Sequence, residues 1–476
     1  MSILCSRCWL VPVALLLLSG GCYTYKPPEA VLEGTVFDEA NREASRRRLE
    51  GIKVLTLRLA QRIAEENNQS FLATYHAVNA ARMRYYQSLG AYAPEITAGT
   101  GVGQTLEWNN HLVNPMPHTP ARNFRFDSTT SVTASYLIFD GLARELNVLI
   151  QKREIEREKA VRMRVICMVR QAVAYAFDDM QLAARLGEIA QQNREFQLKL
   201  HGIVEPEAQR NLRPEDEVLN FQVLAGYADA SRIAAVYQLE VSDFALAQLL
   251  GLPEGRLPGP PELPPADTRI RPLPFSMEAT IDLALSNNPQ MHIMQQTLKI
   301  AEYNKFKSYS SYAPTVTAHA RFSYNVMSSR YRDYMYSHGS QDTPSFEYGI
   351  QANYLIFNGL SRYNRMREMQ AMYAMAQYGM AETYLQLVND VRAACANYQN
   401  HARQARVYRD LLAAARRQRD LVYDRYLKRE ASVDRIDKVQ TYYIDTEVRY
   451  ATEINLLNKA LAQIEAILMV ELFPED

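Results

Sequence analysis

The stretch Tyr136–Arg144, which reads YLIFDGLAR, returns as Tyr354–Arg362, which reads YLIFNGLSR. Seven of the nine positions are identical in the two stretches. A second pair lies upstream of the first, because Ala91–Ala98 reads AYAPEITA and Ser311–Ala318 reads SYAPTVTA. A long internal period of this kind is the signature of a duplicated structural unit.

The duplication sets the predicted domain organisation. We predict two tandem repeats at residues 53–254 and 275–476, joined by a linker at 255–274. The linker is dense in proline, which fixes φ and lacks a backbone N–H. We therefore expect a stiff extended connector rather than a helix or a central strand.

Inside each repeat, segments of helical composition flank two segments in which polar and apolar residues alternate. A period of two predicts strands at about 95–106 and 127–139 in the first repeat, and at about 315–324 and 347–357 in the second. Strands of about ten residues with one apolar face suit a transmembrane β-strand. A soluble hairpin packed on helices is the alternative. A two-stranded hairpin is marginal alone, so these strands need partners within the chain or from other chains.

Long proline-free segments follow each pair of strands, at residues 142–204 and 360–472. They predict helices of about 60–70 residues, a length typical of a coiled coil or a helical tube. Turns between these helices and the next ones are predicted at about 202–214 and 428–433.

The N-terminal residues 1–21 have the layout of a secretory signal peptide. Arg7 precedes an apolar run at Trp9–Leu18, and small residues lead to Cys22. Leu18–Cys22 resembles a lipobox, so we predict cleavage before Cys22, its acylation, and a lipidated segment at 22–52. An ordinary cleavable signal is the alternative. No run of eighteen apolar residues follows, so a membrane crossing would require a closed β-barrel.

The remaining composition argues against several function classes. The formal net charge of zero argues against nucleic acid as a partner. The eight histidines lack metal-ligand spacing, and neither a glycine-rich phosphate loop after a strand nor a G-x-S-x-G elbow is present. We therefore predict no enzymatic activity, no cofactor and no metal. Cys167 and Cys395 follow the predicted cleavage point, and their pairing stays open.

The order helix, strand, loop, strand, long helix, turn, helix, given twice after an export signal, resembles the TolC-like outer-membrane efflux family over nearly all of the mature chain. The repeated Tyr-Ala-Pro and Leu-Ile-Phe-(Asp/Asn)-Gly-Leu motifs are its landmarks. The resemblance implies a mainly α fold with a β-barrel portion. A homotrimer would share one twelve-stranded transmembrane barrel, four strands per protomer, above a long coiled-coil α-helical tunnel. Closing the barrel would remove every strand edge.

The second predicted turn resembles the periplasmic tip of this family. The likeness lies in Arg425, Tyr426, Ser432, Val433–Asp437 and Gln440. The glycine that is usual in the family is absent, with Arg429 or Glu430 in its place.

The resemblance implies two sets of site residues. Docking of a periplasmic adaptor would fall on Arg425, Tyr426 and Ser432, together with Asp216 of the first turn. Asp434 and Asp437 share a helix face, and as a gate they would form rings of negative charge at the closed end of the tunnel. The alternative is that both are solvated acids beside Arg435 and Lys438.

The function implied is a passive outer-membrane exit duct of a tripartite efflux system. The duct would sit among outer-membrane lipids, extend into the periplasm, and receive substrates from an inner-membrane pump through an adaptor protein. A type I protein-secretion duct and a structural periplasmic coiled-coil lipoprotein are the alternatives.

Overall fold

The computed structural model of the chain describes residues 43, 54–109, 121–252, 254–257, 262–331 and 338–473. The predicted signal peptide, Cys22 and all of segment 22–52 except residue 43 lie outside these ranges.

Eight α-helices and four strands make up most of the described residues. In chain order they are α1 (Leu57–Asn67), α2 (Gln69–Gly90), β1 (Glu95–Asn109), β2 (Ala121–Phe139), α3 (Ala143–Gln209), α4 (Glu215–Leu249), α5 (Met277–Asn287), α6 (Pro289–Tyr309), β3 (Thr315–Tyr331), β4 (His338–Asn353), α7 (Ser361–Leu427) and α8 (Val433–Leu468). The order of two helices, two strands, a long helix and a helix occurs twice. The predicted mainly α fold with very long helices is confirmed, since α3 and α7 each contain 67 residues.

The four strands form one antiparallel sheet in the order β1-β2-β3-β4. The central pair β2–β3 joins the two halves of the sequence, with Ala134 opposite Ala320. Among the described strands, β1 and β4 each pair on one side only.

The strand bounds differ from those predicted. The loop-facing ends extend further, because polar residues that look like turn formers continue the antiparallel pairing, as in Ser328 opposite Ser340. β4 starts at His338 and ends at Asn353 instead of covering 347–357. Asn353 lies opposite Thr315, the first residue of β3, so the β3–β4 pairing ends there within the described sheet.

The chain forms two compact units, and each contains segments of both halves of the sequence. The helical unit comprises the residues up to Leu72, Met168–Pro272 and Asn397–Gln463. The sheet unit comprises Ala73–Cys167, Leu273–Ala396 and the residues from Ile464. The compact units therefore do not coincide with the repeats at 53–254 and 275–476, because strands of both halves pair with each other and helices of both halves share a core.

The duplicated motifs explain the strand-to-helix corners of the sheet unit. Gly141 has a φ of +72°, and an added Cβ there would lie 2.6 Å from the Ala313 Cβ, so only glycine fits. The Arg144 guanidinium donates to the carbonyl oxygens of Leu137 at 2.9 Å and Ala91 at 3.2 Å. It also lies 4.2 Å from the centre of the Tyr92 ring. The two motifs that repeat in the sequence therefore contact each other in the fold.

The second corner repeats this contact. Arg362 donates to the carbonyl oxygens of Ser311 at 3.1 Å and Ile356 at 3.0 Å, and its guanidinium lies 5.0 Å from the Tyr312 ring. Gly359 and Leu360 both have a φ of +65°.

Candidate functional site at the interhelix turns

The turns that end the two long helices lie in the helical unit and have the same backbone geometry. After α3, Asn211 has a φ of +55°, and the Leu212 N–H donates to the Glu207 carbonyl at 2.9 Å. After α7, Arg429 has a φ of +63°, and the Glu430 N–H donates to the Arg425 carbonyl at 2.8 Å. Both are helix ends of the Schellman type, which satisfy otherwise unpaired carbonyl groups.

The first turn differs from its predicted range of about 202–214. Helix α3 continues to Gln209 and contains Pro206. The non-helical segment is therefore limited to residues 210–214. The second turn, at residues 428–432, starts after Leu427 and ends before Val433.

Arg213 holds the first turn together through two carboxylates. Its Nε donates to Glu207 at 2.6 Å and its Nη1 donates to Glu217 at 2.9 Å. The Arg213 side chain is only 8% exposed. The hydrogen bond from Arg213, helped by a second one from Arg429, lowers the pKa of Glu207.

Tyr426 connects the second long helix to this cluster. The Arg213 guanidinium lies 4.6 Å from the centre of the Tyr426 ring, within the range of a cation–π interaction. The Tyr426 hydroxyl donates to Glu217 at 3.1 Å. Burial of the phenol, which outweighs the nearby Arg213 charge, raises the pKa of Tyr426. The ring is 1% exposed.

The core beneath the turns combines both helical hairpins. Each of α3, α4, α7 and α8 contributes at least one side chain to it; the buried members are Leu200, Val204, Phe221, Val422, Tyr426, Ile436 and Val439. The Phe221 and Tyr426 rings meet edge to face at 6.0 Å between centroids. This packing fixes the position of one turn relative to the other.

The two predicted gate aspartates lie at the start of α8. Asp434 is exposed in its first turn. Asp437 is partly buried, and its Oδ1 has no hydrogen-bond partner among the described residues. Among the described side chains, neither forms an ion pair with Arg435 or Lys438. Burial, and then the charge of Asp434, raises the pKa of Asp437.

The predicted docking residues separate into two groups. Arg425, Ser432 and Asp216 are exposed at the turns. Tyr426 is buried, so its side chain presents almost no surface to a partner and instead supports the turn from inside. A docking role for the Tyr426 side chain itself therefore does not fit this fold.

Sequence reasoning missed the Arg213 cluster. The i,i+4 spacing of Arg213 and Glu217 is a visible signal for an ion pair. Nothing in the sequence places Tyr426, which lies in the other half of the chain, on the same guanidinium.

The described residues contain no group of three or more His, Cys, Asp or Glu side chains arranged to hold a metal ion. None of the helices in the described ranges carries an apolar stretch of bilayer-spanning length. Within the part of the chain that the structure describes, neither Cys167 nor Cys395 forms a disulfide bond.

Residues 280–467 match the model of the outer membrane efflux protein family. The match lies within the second predicted repeat, and it confirms the resemblance drawn from the repeated motifs. No curated protein matches the sequence of the chain.

Solved outer-membrane proteins have a similar fold. The outer-membrane channel OprN is 15% identical at a TM-score of 0.72, over 87% of this chain and 89% of that chain. The Campylobacter jejuni CmeC outer membrane channel is 12% identical at 0.71, over 87% and 85%. The outer membrane protein VceC of Vibrio cholerae is 13% identical at 0.71, over 87% and 95%. At these identities the likeness establishes the fold alone.

Proposed function

We propose that the chain is the outer-membrane channel of a tripartite efflux system. In this role it is a passive duct, with no catalytic step of its own, for substrates that an inner-membrane pump delivers through a periplasmic adaptor. It resides in the outer membrane as a homotrimer, and acylation of Cys22 would add a lipid anchor.

The observation that carries the proposal is the asymmetry of the four-stranded sheet. One face exposes large apolar side chains, including Ile96, Val132, Phe322, Phe346 and Tyr348. Tyr348 is 77% exposed. The opposite face carries small and polar residues. Among the described residues of that face are Gly99, Thr133, His319, Arg321 and Glu347. An apolar face toward lipid and a polar face toward water is the pattern of a transmembrane barrel wall.

The open edges of the sheet support a trimer. An unpaired strand edge cannot remain in lipid, because each unsatisfied backbone group there costs several kcal/mol. Four strands cannot close a barrel, but three copies of the sheet, joined β1 to β4, would supply twelve.

The interhelix turns suit the closed, adaptor-facing end of the duct. The exposed Asp216, Arg425 and Ser432 offer a polar docking surface. Asp434 and Asp437 lack ion-pair partners among the described side chains, and three copies would give a negative ring that favours cations.

Single-channel conductance of the detergent-purified protein in a planar bilayer tests the proposal. We expect discrete, cation-selective conductance in the wild type and reduced cation selectivity in Asp434→Ala/Asp437→Ala. Asp445→Ala is the matched control, since Asp445 is an exposed acid further along α8 that pairs with Arg449 at 2.8 Å. Unchanged selectivity in the double variant would remove the two aspartates from the pore. Failure to insert would favour a structural coiled-coil lipoprotein.

Cys22 has its own test. Mass spectrometry of the mature N-terminus of wild type and Cys22→Ala should find acyl chains on the wild type alone. An unmodified mature N-terminus in the wild type would contradict the anchor.

A further inference from the structure

A cavity of about 380 Å³ lies inside the helical unit, away from the interhelix turns. Its walls come from α3, α7, α8 and the proline-rich linker at Leu263–Thr268. The linker is held in place by α3, because the Gln181 side chain donates to the Pro264 carbonyl at 2.8 Å. The volume falls within the range of small-molecule sites.

Much of the cavity wall is apolar, and its acidic groups outnumber its basic ones. The apolar part includes Leu182, Leu263, Pro265, Leu412 and Ile454. The charged lining residues are Asp178, Glu188 and Glu447 against the single cation Arg185. An excess of carboxylates in a partly apolar cavity favours a cation with an apolar body.

Glu447 is a buried acid with unused hydrogen-bonding capacity. It is 6% exposed, and its Oε1 accepts from Arg185 Nη2 at 2.7 Å. Its Oε2 is buried and has no hydrogen-bond partner among the described residues. A buried carboxylate oxygen without a donor is costly, so the cavity is complementary to a ligand that brings one.

Asp178 adds a second buried carboxyl, 8% exposed, on α3. Burial raises the pKa of Asp178 to about 7, although the nearby Lys459 charge opposes this. Lys459 itself donates to Asp179 at 2.6 Å, so its positive charge is already paired with another carboxylate. The other charged or titratable groups beside these acids are Glu188 and Tyr443. Glu188 pairs with Arg185. The Tyr443 hydroxyl interacts with the Glu447 carboxylate, which, after burial, raises the pKa of the Tyr443 phenol.

We propose that this cavity binds an organic ammonium ion with a short apolar body, with the ammonium group donating to Glu447 Oε2 and the body against the apolar wall. A bare metal ion fits less well, because the described residues hold no cluster of three ligating side chains. The site is independent of the export role, since binding to the isolated protein requires neither a membrane nor a partner.

Isothermal titration calorimetry of the full-length detergent-purified protein tests the site, with n-hexylammonium chloride as the probe. We expect saturable binding of one probe per protomer. n-Hexanol and ammonium chloride should each bind at least about tenfold more weakly, because each lacks either the charge or the apolar body. Equal binding of n-hexanol and n-hexylammonium in the wild type would overturn the proposal without any variant.

Three variants locate the binding. Glu447→Gln should lose about tenfold in affinity or more, because it removes the charged acceptor. Ala451→Leu keeps every charge and fills the cavity that Ala451 lines, so it should abolish binding. Asp445→Asn, an exposed acid on the same helix, should bind as wild type does. Wild-type affinity in Glu447→Gln or in Ala451→Leu would show that the probe binds elsewhere and the cavity holds only water.

Discussion

The two interhelix turns have the same backbone geometry, but their charged side chains are paired differently. Both end a 67-residue helix with one residue at positive φ, Asn211 in one turn and Arg429 in the other. In the first turn Arg213 neutralises Glu207 and Glu217. In the second, Asp434 and Asp437 remain without an ion pair among the described side chains.

The difference indicates how two turns of the same backbone geometry can serve different roles. The backbone hydrogen bonds, which depend on φ and ψ, are the same in both turns, whereas the pairing of the charged side chains differs. The first turn is a brace that also holds Tyr426 of the other hairpin. In the second turn the exposed Asp434 lies in the first turn of α8, where the helix dipole favours a carboxylate.

Among substitutions in the two turns, the loss of the Arg213 side chain should have the largest effect on stability. Arg213→Ala leaves Glu207 and Glu217 without their cation and removes the group stacked on Tyr426. We expect a loss of about 2–3 kcal/mol in the free energy of unfolding, below the full cost of breaking a buried pair because both acids are partly exposed. Urea denaturation of the purified protein measures it. Arg210→Ala, an exposed arginine of the same turn, is the control and should change stability little. Equal losses of stability in Arg213→Ala and Arg210→Ala would mean that Arg213 does not hold the turn together.

The Tyr426 hydroxyl should contribute less. Tyr426→Phe keeps the buried ring and removes the hydrogen bond to Glu217, so we expect a loss of about 1 kcal/mol by the same denaturation. Tyr442→Phe on α8 is the matched control, because Tyr442 is exposed and should lose almost nothing. A larger loss of stability in Tyr442→Phe than in Tyr426→Phe would contradict a stabilising contact between the Tyr426 hydroxyl and Glu217.

Substitution of Asp437 should increase stability rather than decrease it, and the change should be smaller than the two losses above. Because burial and Asp434 raise its pKa, the folded state binds the Asp437 proton more tightly than the unfolded state does. Its favourable contribution is complete below the unfolded pKa of about 3.9 and is lost as the pH rises through the raised folded pKa. Asp437→Asn should therefore gain stability over wild type at pH 7 and not at pH 3. Thermal midpoints at both pH values measure this, with Asp434→Asn as the exposed comparison. A gain that does not depend on pH would contradict the assignment.

Arg429 should have the smallest effect. Arg429→Gly relieves a positive φ that costs a non-glycine residue about 1 kcal/mol. It also loses the exposed pair with Glu207 at 3.4 Å and makes the unfolded chain more flexible. We expect these contributions to cancel to within about 0.5 kcal/mol in urea denaturation. A loss as large as that of Arg213→Ala would show that the Arg429 side chain, rather than the backbone hydrogen bonds, closes the second turn.

The sequence predicted features that recur locally along the chain. The repeated motifs predicted where strands end, and they coincide with the strand-to-helix corners at which Gly141 and Gly359 take a positive φ. Proline-free stretches predicted the long helices. The extra length of β2 and β3 was missed, because residues such as Ser328 and Ser329 show no apolar alternation, although they lie opposite β2 in the sheet.

The candidate site was less accessible to sequence reasoning. Asp434 and Asp437 were found because they are close in sequence and match a family pattern. The burial of Tyr426 was not predicted. It arises because α3 and α4, which belong to the other half of the chain, pack around the Tyr426 side chain. Contacts between segments in different halves of the chain have no local signature in one sequence.

The most direct test is the single-channel conductance of Arg213→Ala, compared with wild type and Arg210→Ala in the same bilayer and salt. If the turns form the closed end of an export duct and Arg213 braces them, loss of the brace should raise conductance several-fold while Arg210→Ala matches wild type. Equal conductance of all three proteins, each inserted and folded as a trimer, would contradict that role for the turns.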